Sequence, residues 1–277
     1  MDEDFPPRRS NSGGPVLLAV TTTSDWLPRT PSPVRSTWRS PACASGGFRW
    51  EADMTELVSE QVARLLPRGS GTHLLVGEVP AAQGIADIVA VRFDRDARRR
   101  RMDSGIGPVC SPLRVRALFL LRADRGMRVT TLAHKLGSTA RALTRSTLEP
   151  LAAMGAIDLA DGMVRATGNW CPVAEQVTAV ELKLSKWRDA VRQADNFSLS
   201  ADRSWVVLDH TRAKSALGSI TTFEQLGVGL AVLDPGGHLH VVARPRGRRP
   251  EPWLRALMAE RAWAVAEGEV AAALATP

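Results

Sequence analysis

The 277-residue chain has no tyrosine, three cysteines and four lysines. Cys43, Cys110 and Cys171 are odd in number and form no C-x-x-C pair, so neither a disulfide framework nor a zinc site is expected. No apolar run approaches the roughly 20 residues of a membrane-spanning helix. The short apolar stretch at 15–20 follows an acidic N-terminus, which is unfavourable for a secretory signal. We therefore expect a cytoplasmic protein without a membrane partner.

Basic residues outnumber acidic ones, with 36 Lys+Arg against 29 Asp+Glu and a formal net charge of +7. Almost all of the positive charge is arginine, whose planar fork suits phosphate groups. A nucleic-acid partner is therefore the first hypothesis. An arginine bias can also follow from genome composition and a few solvated faces, so charge alone leaves both interpretations open.

The first part of the chain divides into an extension and a compact segment. Residues 1–47 are rich in Pro, Ser, Thr, Arg and Gly without sustained periodicity, which predicts a disordered extension. Apolar spacing predicts a helix at 49–66, and two runs of branched residues at 72–80 and 84–93 predict an antiparallel hairpin. The arginine-rich segment at 95–106 is interpreted as a basic loop, either solvated or facing phosphate.

The middle of the chain has a different pattern from its flanks. Helical periodicity at 113–124, 129–137 and 138–156 is followed by two strand-like pieces at 157–167 around an Asp-Gly turn. Ser138 is expected to cap the third helix through its hydroxyl. The helices and hairpin occur in an order that predicts a separate small domain inserted into a larger one.

This segment, 108–168, resembles the winged helix-turn-helix family. The resemblance rests on the sequence TTLAHKLGSTARALTRSTLEPLAAMGAID, and it implies duplex DNA binding by the N-terminal part of the third helix and by the wing. Winged helices also serve as protein-docking modules, which stays an alternative. The residues that the resemblance places against DNA are Ser138, Thr139, Arg141, Arg145 and Arg165.

The remaining chain alternates strands and helices, which predicts an α/β fold with an α/β/α sandwich on a small mixed sheet. Its elements are a strand at 177–185, a helix at 186–199, a strand at 204–209, a helical or mixed stretch at 211–227 and a hairpin at 228–245. An Ala-rich helix or helix pair at 252–275 can pack on the domain or form a homodimer. The predicted parts are the extension at 1–47, a core at 48–107 with 169–245, the insertion at 108–168 and a helical tail at 246–277.

Two strand-borne carboxylates and a lysine have the chemistry of a metal-dependent phosphodiesterase. Asp87 in the second strand and Glu181 in the third can offer oxygen ligands to Mg²⁺ or Mn²⁺. Lys183 is two residues beyond Glu181 and therefore on the same face, where it can orient or help deprotonate a water and offset phosphate charge. The alternative is a half-buried sheet in which the same residues only form ion pairs, although an acid and a lysine on an apolar strand would then need partners.

These residues resemble the PD-(D/E)XK nuclease superfamily through the motifs GIADIVAV at 84–91 and VELKL at 180–184. The resemblance implies a restriction-endonuclease-like fold in which Asp87 and Glu181 hold the metal and Lys183 is the catalytic lysine. Gln193 matches the glutamine of a Q-x-x-x-Y element, whose tyrosine position is Phe197 here. No proline precedes Asp87, and the segment from Asp87 to Glu181 is unusually long because the insertion lies within it.

A third acidic residue often completes the metal site in this superfamily, and Glu51 and Glu78 are the candidates here. The sequence therefore predicts a Mg²⁺-dependent DNA endonuclease whose inserted winged helix binds duplex DNA. The rival hypothesis is a non-catalytic DNA-binding transcriptional regulator on a nuclease-like scaffold. A protein-interaction module within a larger defence or conjugation system is a third.

Overall fold

The chain forms a mixed α/β structure around one large sheet. A computed structural model describes residues 16–21, 47–67 and 72–275. The seven-stranded sheet is mixed, and helices pack on both of its faces. In these residues no helix is both long and apolar enough to cross a membrane.

The large sheet has the strand order β1-β2-β3-β7-β8-β9-β10. Its pairs are antiparallel from β1 to β7 and between β9 and β10, and parallel from β7 through β8 to β9. In chain order the strands are β1 (Val16–Thr21), β2 (His73–Pro80), β3 (Ile85–Phe93), β4 (Met127–Arg128), β5 (Ile157–Ala160), β6 (Met163–Ala166), β7 (Ala174–Lys183), β8 (Arg203–Asp209), β9 (Gly229–Leu233) and β10 (Leu239–Ala243).

Most strand predictions are confirmed, and one element was not foreseen. The predicted hairpins at 72–93 and 228–245 form as β2–β3 and β9–β10. Within the predicted disordered extension, however, the apolar stretch VLLAVT forms β1 and pairs with β2. The unpaired edge of β2 explains this, since branched residues next to a free strand edge complete the ladder. The remainder of the extension, at 1–15 and 22–46, lies outside the described residues.

Ten α-helices connect or cover the strands within the described ranges. They are α1 (Ala52–Glu60), α2 (Arg95–Asp103), α3 (Pro112–Leu120), α4 (Val129–Lys135), α5 (Ala140–Leu143), α6 (Glu149–Ala153), α7 (Trp187–Phe197), α8 (Lys214–Leu217), α9 (Ile220–Leu226) and α10 (Pro252–Ala275).

The prediction of a basic loop at 95–106 was wrong, because most of this segment is helix α2. The carboxylate of Asp94 accepts from the amide of Ala97 at 2.9 Å and caps the helix. Arg101 is fully buried and pairs with Glu260 of α10, so it faces neither solvent nor phosphate. Arginine is a good helix former with a long apolar stem, and sequence alone could not show that one of the series lies inside the protein.

The helices bury apolar side chains on opposite faces of the sheet. Met54 and Val58 of α1 pack with residues of β3, β7 and β8 such as Ile88, Leu182 and Trp205. On the other face lie α7, α9 and the middle of α10. The site described below therefore lies on a sheet that is held from both sides.

Residues 108–168 enclose a core of their own between β3 and β7. Helices α3 to α6 pack with a three-stranded sheet in the order β4-β6-β5, around Val115, Leu132, Leu143 and Leu151. Two residues of α10, Ala256 and Leu257, complete this cluster. The last helix of the chain therefore joins the insertion to the large sheet, which it also contacts through its next turn.

The predicted third helix of the insertion is interrupted and is capped by a different residue. Thr139, not Ser138, accepts from the amide of Ala142 at 3.2 Å. A π-helical turn at Thr144–Leu148 separates α5 from α6. Pro150 explains the interruption, because it has no amide to donate and its ring clashes with the preceding turn. The carbonyl of Ser146 instead accepts from Arg114 at 3.3 Å.

Candidate functional site

The strands β3 and β7 place Asp87 and Glu181 side by side. Their antiparallel register pairs Ile88 with Val180, and one further step sets Asp87 opposite Glu181. The ladder stops at that point, and the amide of Leu182 donates to Asp87 Oδ2 at 2.6 Å. The carboxylate of Asp87 therefore replaces a backbone acceptor where the two strands separate.

Lys183 joins the acidic residues through its ammonium group. Its Nζ lies 2.9 Å from Glu181 Oε1 and 3.1 Å from Glu51 Oε2. Glu51 directly precedes α1, and its other oxygen accepts from the amide of Leu184 at 3.4 Å. Helix α1 and strand β7 thus bring Glu51, Glu181 and Lys183 into one cluster.

Glu78, the second candidate for a third acid, occupies a different position. It lies in β2 between the register pairs Gly77–Ile88 and Val79–Ala86, and therefore opposite Asp87. Its backbone has a φ of 54°, in the left-handed region that non-glycine residues rarely adopt. The side chain is exposed, and its charge adds to the effect of burial, the main cause, in raising the pKa of Asp87. Glu51 therefore contacts Lys183, whereas Glu78 is exposed to solvent.

Burial makes the negative charge of the site costly. Desolvation, followed by the charge of Asp87, raises the pKa of Glu181 to about 7. Desolvation also raises the pKa of Asp87, although the amide of Leu182 and the charge of Lys183 oppose that shift. A site with this electrostatic character favours added positive charge.

Lys183 is held in its protonated form. Burial alone would lower its pKa, but the hydrogen bond and charge of Glu181, with smaller contributions from Asp87 and Glu51, outweigh burial and raise it. An ammonium group with a raised pKa does not act as a general base at neutral pH. The contacts with Glu181 and Glu51 therefore keep a positive charge beside the acidic residues.

Gln193 lies beside the buried stripe of α7, on the helix that follows β7. Its Oε1 atom is buried and has no hydrogen-bond partner among the residues that the structure describes. In the same residues no hydrogen bond joins it to Asp87, Glu181 or Lys183. Phe197, one turn later, is fully buried against Val79 and its neighbours, so this position belongs to the core.

The acidic pair fits a hard divalent cation bound by few protein ligands. In the described ranges no three His, Cys, Asp or Glu side chains stand close enough together to enclose a metal ion. Mg²⁺ usually takes one or two carboxylates and fills its other positions with water and phosphate oxygens. Asp87 and Glu181 offer these two carboxylates, and Glu181 Oε2 is buried without a hydrogen-bond partner among the described residues.

The residues expected to contact DNA differ in their solvent exposure and in whether their side chains already form hydrogen bonds. Arg141 is exposed on α5, and Arg145 is exposed on the π-helical turn that follows it. Arg165 of β6 instead donates two hydrogen bonds to Asp158 of β5, at 3.0 and 2.8 Å. Ser138 is half-buried, and the hydroxyl of Thr139 is engaged in the cap. Arg141 and Arg145 are therefore the stronger candidates of the set.

One residue next to the site was missed by sequence reasoning. Trp50 is 60% exposed and directly precedes Glu51. The guanidinium of Arg49 lies 5.3 Å from the centre of its ring. An aromatic residue adjacent to a candidate acidic ligand was the signal that could have identified it.

Comparisons with known proteins give no relative from which a function could be transferred. No family model matches the chain, and no curated protein matches it. Among solved structures, a protein of unknown function from Silicibacter pomeroyi is similar at a TM-score of 0.28 and 17% identity. The match covers 37% of this chain and 64% of that protein, so the chain spans less than two thirds of its length. A likeness at this level assigns neither a fold family nor a function.

Proposed function

We propose that the protein is a divalent-cation-dependent DNA nuclease of the PD-(D/E)XK type. The observation that supports this most is the convergence of Asp87, Glu181 and Lys183 where β3 and β7 separate. The order of β2, β3, β7, α7 and β8 also agrees with a restriction-endonuclease-like core. We further propose that residues 108–168 are an inserted winged helix that positions DNA.

The chain's own residues divide the work of phosphodiester hydrolysis. Asp87 and Glu181 would hold Mg²⁺ or Mn²⁺, and Glu51 would hold the lysine from the other side. When bound, the cation supplies Lewis-acid charge beside the scissile phosphate and a template for water. Lys183 donates hydrogen bonds to the attacking water or to a phosphate oxygen and offsets developing negative charge.

Plasmid cleavage with Mg²⁺ tests this proposal. We expect Lys183→Ala and Asp87→Asn to lower the cleavage rate by about 100-fold or more, because the first removes a positive charge that offsets charge in the transition state and the second removes a carboxylate that would hold the cation. Lys214→Ala is the matched control, since Lys214 is an exposed lysine of α8, and we expect it to cut like the wild type. Equal cutting by the wild type and Lys183→Ala would refute the assignment.

The basic face of the insertion is tested separately by DNA binding. We expect the double variant Arg141→Ala/Arg145→Ala to bind duplex DNA more weakly. The slope of log affinity against log salt concentration should also become shallower by roughly 2, because about one fewer counterion is released on binding for each phosphate contact that is lost. Fluorescence anisotropy over a salt series measures both quantities. Arg99→Ala removes an exposed arginine from α2, and an equal loss in that control would contradict a specific role for the insertion.

A non-catalytic DNA-binding regulator is the second candidate function. It is favoured by Arg141 and Arg145, which are exposed in the insertion and lie outside the group of Asp87, Glu181 and Lys183. It predicts sequence-specific binding through Arg141 and Arg145, no cutting with Mg²⁺ or Mn²⁺, and little effect of Asp87→Ala. Binding and cleavage measured on the same DNA separate the two functions.

A further inference from the structure

Two exposed apolar side chains lie close in sequence to the acidic cluster formed by Glu51, Asp87 and Glu181. Trp50 directly precedes Glu51, and Ile85 lies two residues before Asp87. They are 60% and 56% exposed, respectively, and are two of the five large hydrophobic side chains exposed in the described ranges. Ile85 is the first residue of β3 and pairs with Pro80 of β2, so it lies at the end of β3 that carries Asp87.

The exposure of Trp50 is built into a fixed segment. On one side Phe48 is buried, and its amide donates to Asp209 Oδ2 at 3.1 Å. On the other side Met54 is fully buried, and the amide of Trp50 itself donates to Asp53 Oδ2 at 3.0 Å. The backbone is therefore anchored before and after the ring, and yet the ring faces solvent.

The approach to Trp50 is closely packed at Gly47. Its backbone has a φ of 84°, and a Cβ there would lie 2.6 Å from Asp209 Oδ2. Only glycine meets both conditions without strain. The turn that leads to Trp50 is thus determined by contacts with the end of β8.

We infer that Trp50 stacks on an unpaired nucleobase next to the scissile phosphate, with Ile85 packing beside it. A flat aromatic ring can stack on a base of any identity, because every base has an aromatic face. The base must, however, be unpaired and outside the duplex stack. The guanidinium of Arg49 lies over the ring, 5.3 Å from its centre, and adds positive charge beside the aromatic surface. The substrate class is therefore DNA with a single-stranded segment at the cleavage position, such as a fork, flap or frayed end. This inference rests on the proposed nuclease function.

A forked duplex with 2-aminopurine at the unpaired position beside the junction tests the inference, in Ca²⁺ so that binding is measured without turnover. We expect the wild type to bind the fork about tenfold more tightly than the fully paired duplex and to quench the fluorescent base. Trp50→Ala should no longer quench the fluorescent base, and its preference for the fork over the paired duplex should fall below twofold. Trp50→Phe should keep most of the wild-type preference. Ile85→Ala should show a preference for the fork that lies between those of the wild type and Trp50→Ala.

Met102→Ala is the matched control, because Met102 is 59% exposed on α2 and is not part of the acidic cluster. Circular dichroism and thermal midpoints show whether each variant is folded. Equal binding of fork and duplex by the wild type, or an unchanged preference in Trp50→Ala, overturns the inference. Mg²⁺-dependent cutting of duplex that needs Lys183 but not Trp50 would leave the nuclease function intact, whereas quenching without any cutting would support base stacking and refute the nuclease.

Discussion

Glu181 carries a negative charge where burial opposes it. The side chain is almost fully buried, next to Asp87, and Lys183 compensates only part of the cost. A buried negative charge that is only partly compensated costs free energy, and a bound cation can reduce that cost. The same arrangement predicts how the stability of the metal-free protein depends on pH.

We expect Glu181→Gln to stabilise the metal-free protein at pH 8 and to have little effect at pH 4. Folding raises the pKa of Glu181 from 4.5 to about 7, so the folded state holds this proton more tightly than the unfolded state. Wild-type stability should therefore fall as pH rises through that window. The neutral amide removes this loss, which amounts to at most about 3 kcal/mol.

Urea unfolding in EDTA at both pH values measures this difference. Glu175→Gln is a suitable control, since Glu175 forms a half-exposed pair with Arg92 at 2.8 Å. A destabilised Glu181→Gln at pH 8 would show that the ion pair with Lys183 outweighs desolvation.

At the scale of secondary structure elements, close approach of strands depends on particular small residues. Gly229 begins β9 and pairs in register with Trp205 of β8, whose ring is fully buried. A Cβ on Gly229 would lie 2.6 Å from Trp205 Cδ2 and 2.8 Å from Pro245 Cδ. The parallel part of the sheet therefore needs glycine here for steric reasons.

We expect Gly229→Ala to destabilise the protein by about 1–3 kcal/mol, because the added methyl group overpacks a core made of a rigid ring and a proline. Chemical denaturation measures the change. Gly247→Ala is the control, since a Cβ there meets nothing within 4 Å. Equal effects of the two substitutions would show that backbone entropy, rather than packing, decides the outcome.

At the scale of the whole molecule, α10 connects the large sheet with the insertion. Glu260 of this helix pairs with Arg101 of α2 and accepts from the amide of Val109 at 2.8 Å. The ring of Trp263 lies 5.0 Å from the Arg101 guanidinium carbon. One buried ion pair thus fixes α2, the start of the insertion and α10 relative to each other.

We expect Arg101→Met to destabilise the protein by about 3–5 kcal/mol, since it leaves Glu260 buried without its cation. The double variant Arg101→Met/Glu260→Leu should recover most of this loss, because no unpaired charge remains. Arg99→Ala on the same helix breaks only an exposed pair and should change stability by less than about 1 kcal/mol. Thermal and urea unfolding compare the three. A single variant as stable as the control would contradict this role of the pair.

Local patterns were sufficient to predict most elements. Alternating branched residues predicted β2, β3 and β7, and helical periodicity predicted α1, α3 and α7. They failed where the outcome depended on partners distant in sequence. The stretch at 16–21 became a strand because β2 has an open edge, and Arg101 became a core residue because Glu260 lies opposite.

The sequence by itself determined which residues have the chemistry of the candidate site. Asp87, Glu181 and Lys183 are identifiable from residue type and strand spacing, because alternation along a strand is a local property. Only the tertiary structure decided the rest. The β3–β7 register set Asp87 opposite Glu181, the start of α1 brought Glu51 to the lysine, and the anchored turn at Gly47 presented Trp50 beside them. These relations join residues far apart in the chain, and packing across the sheet, which no local pattern encodes, fixes their distances and pKa values.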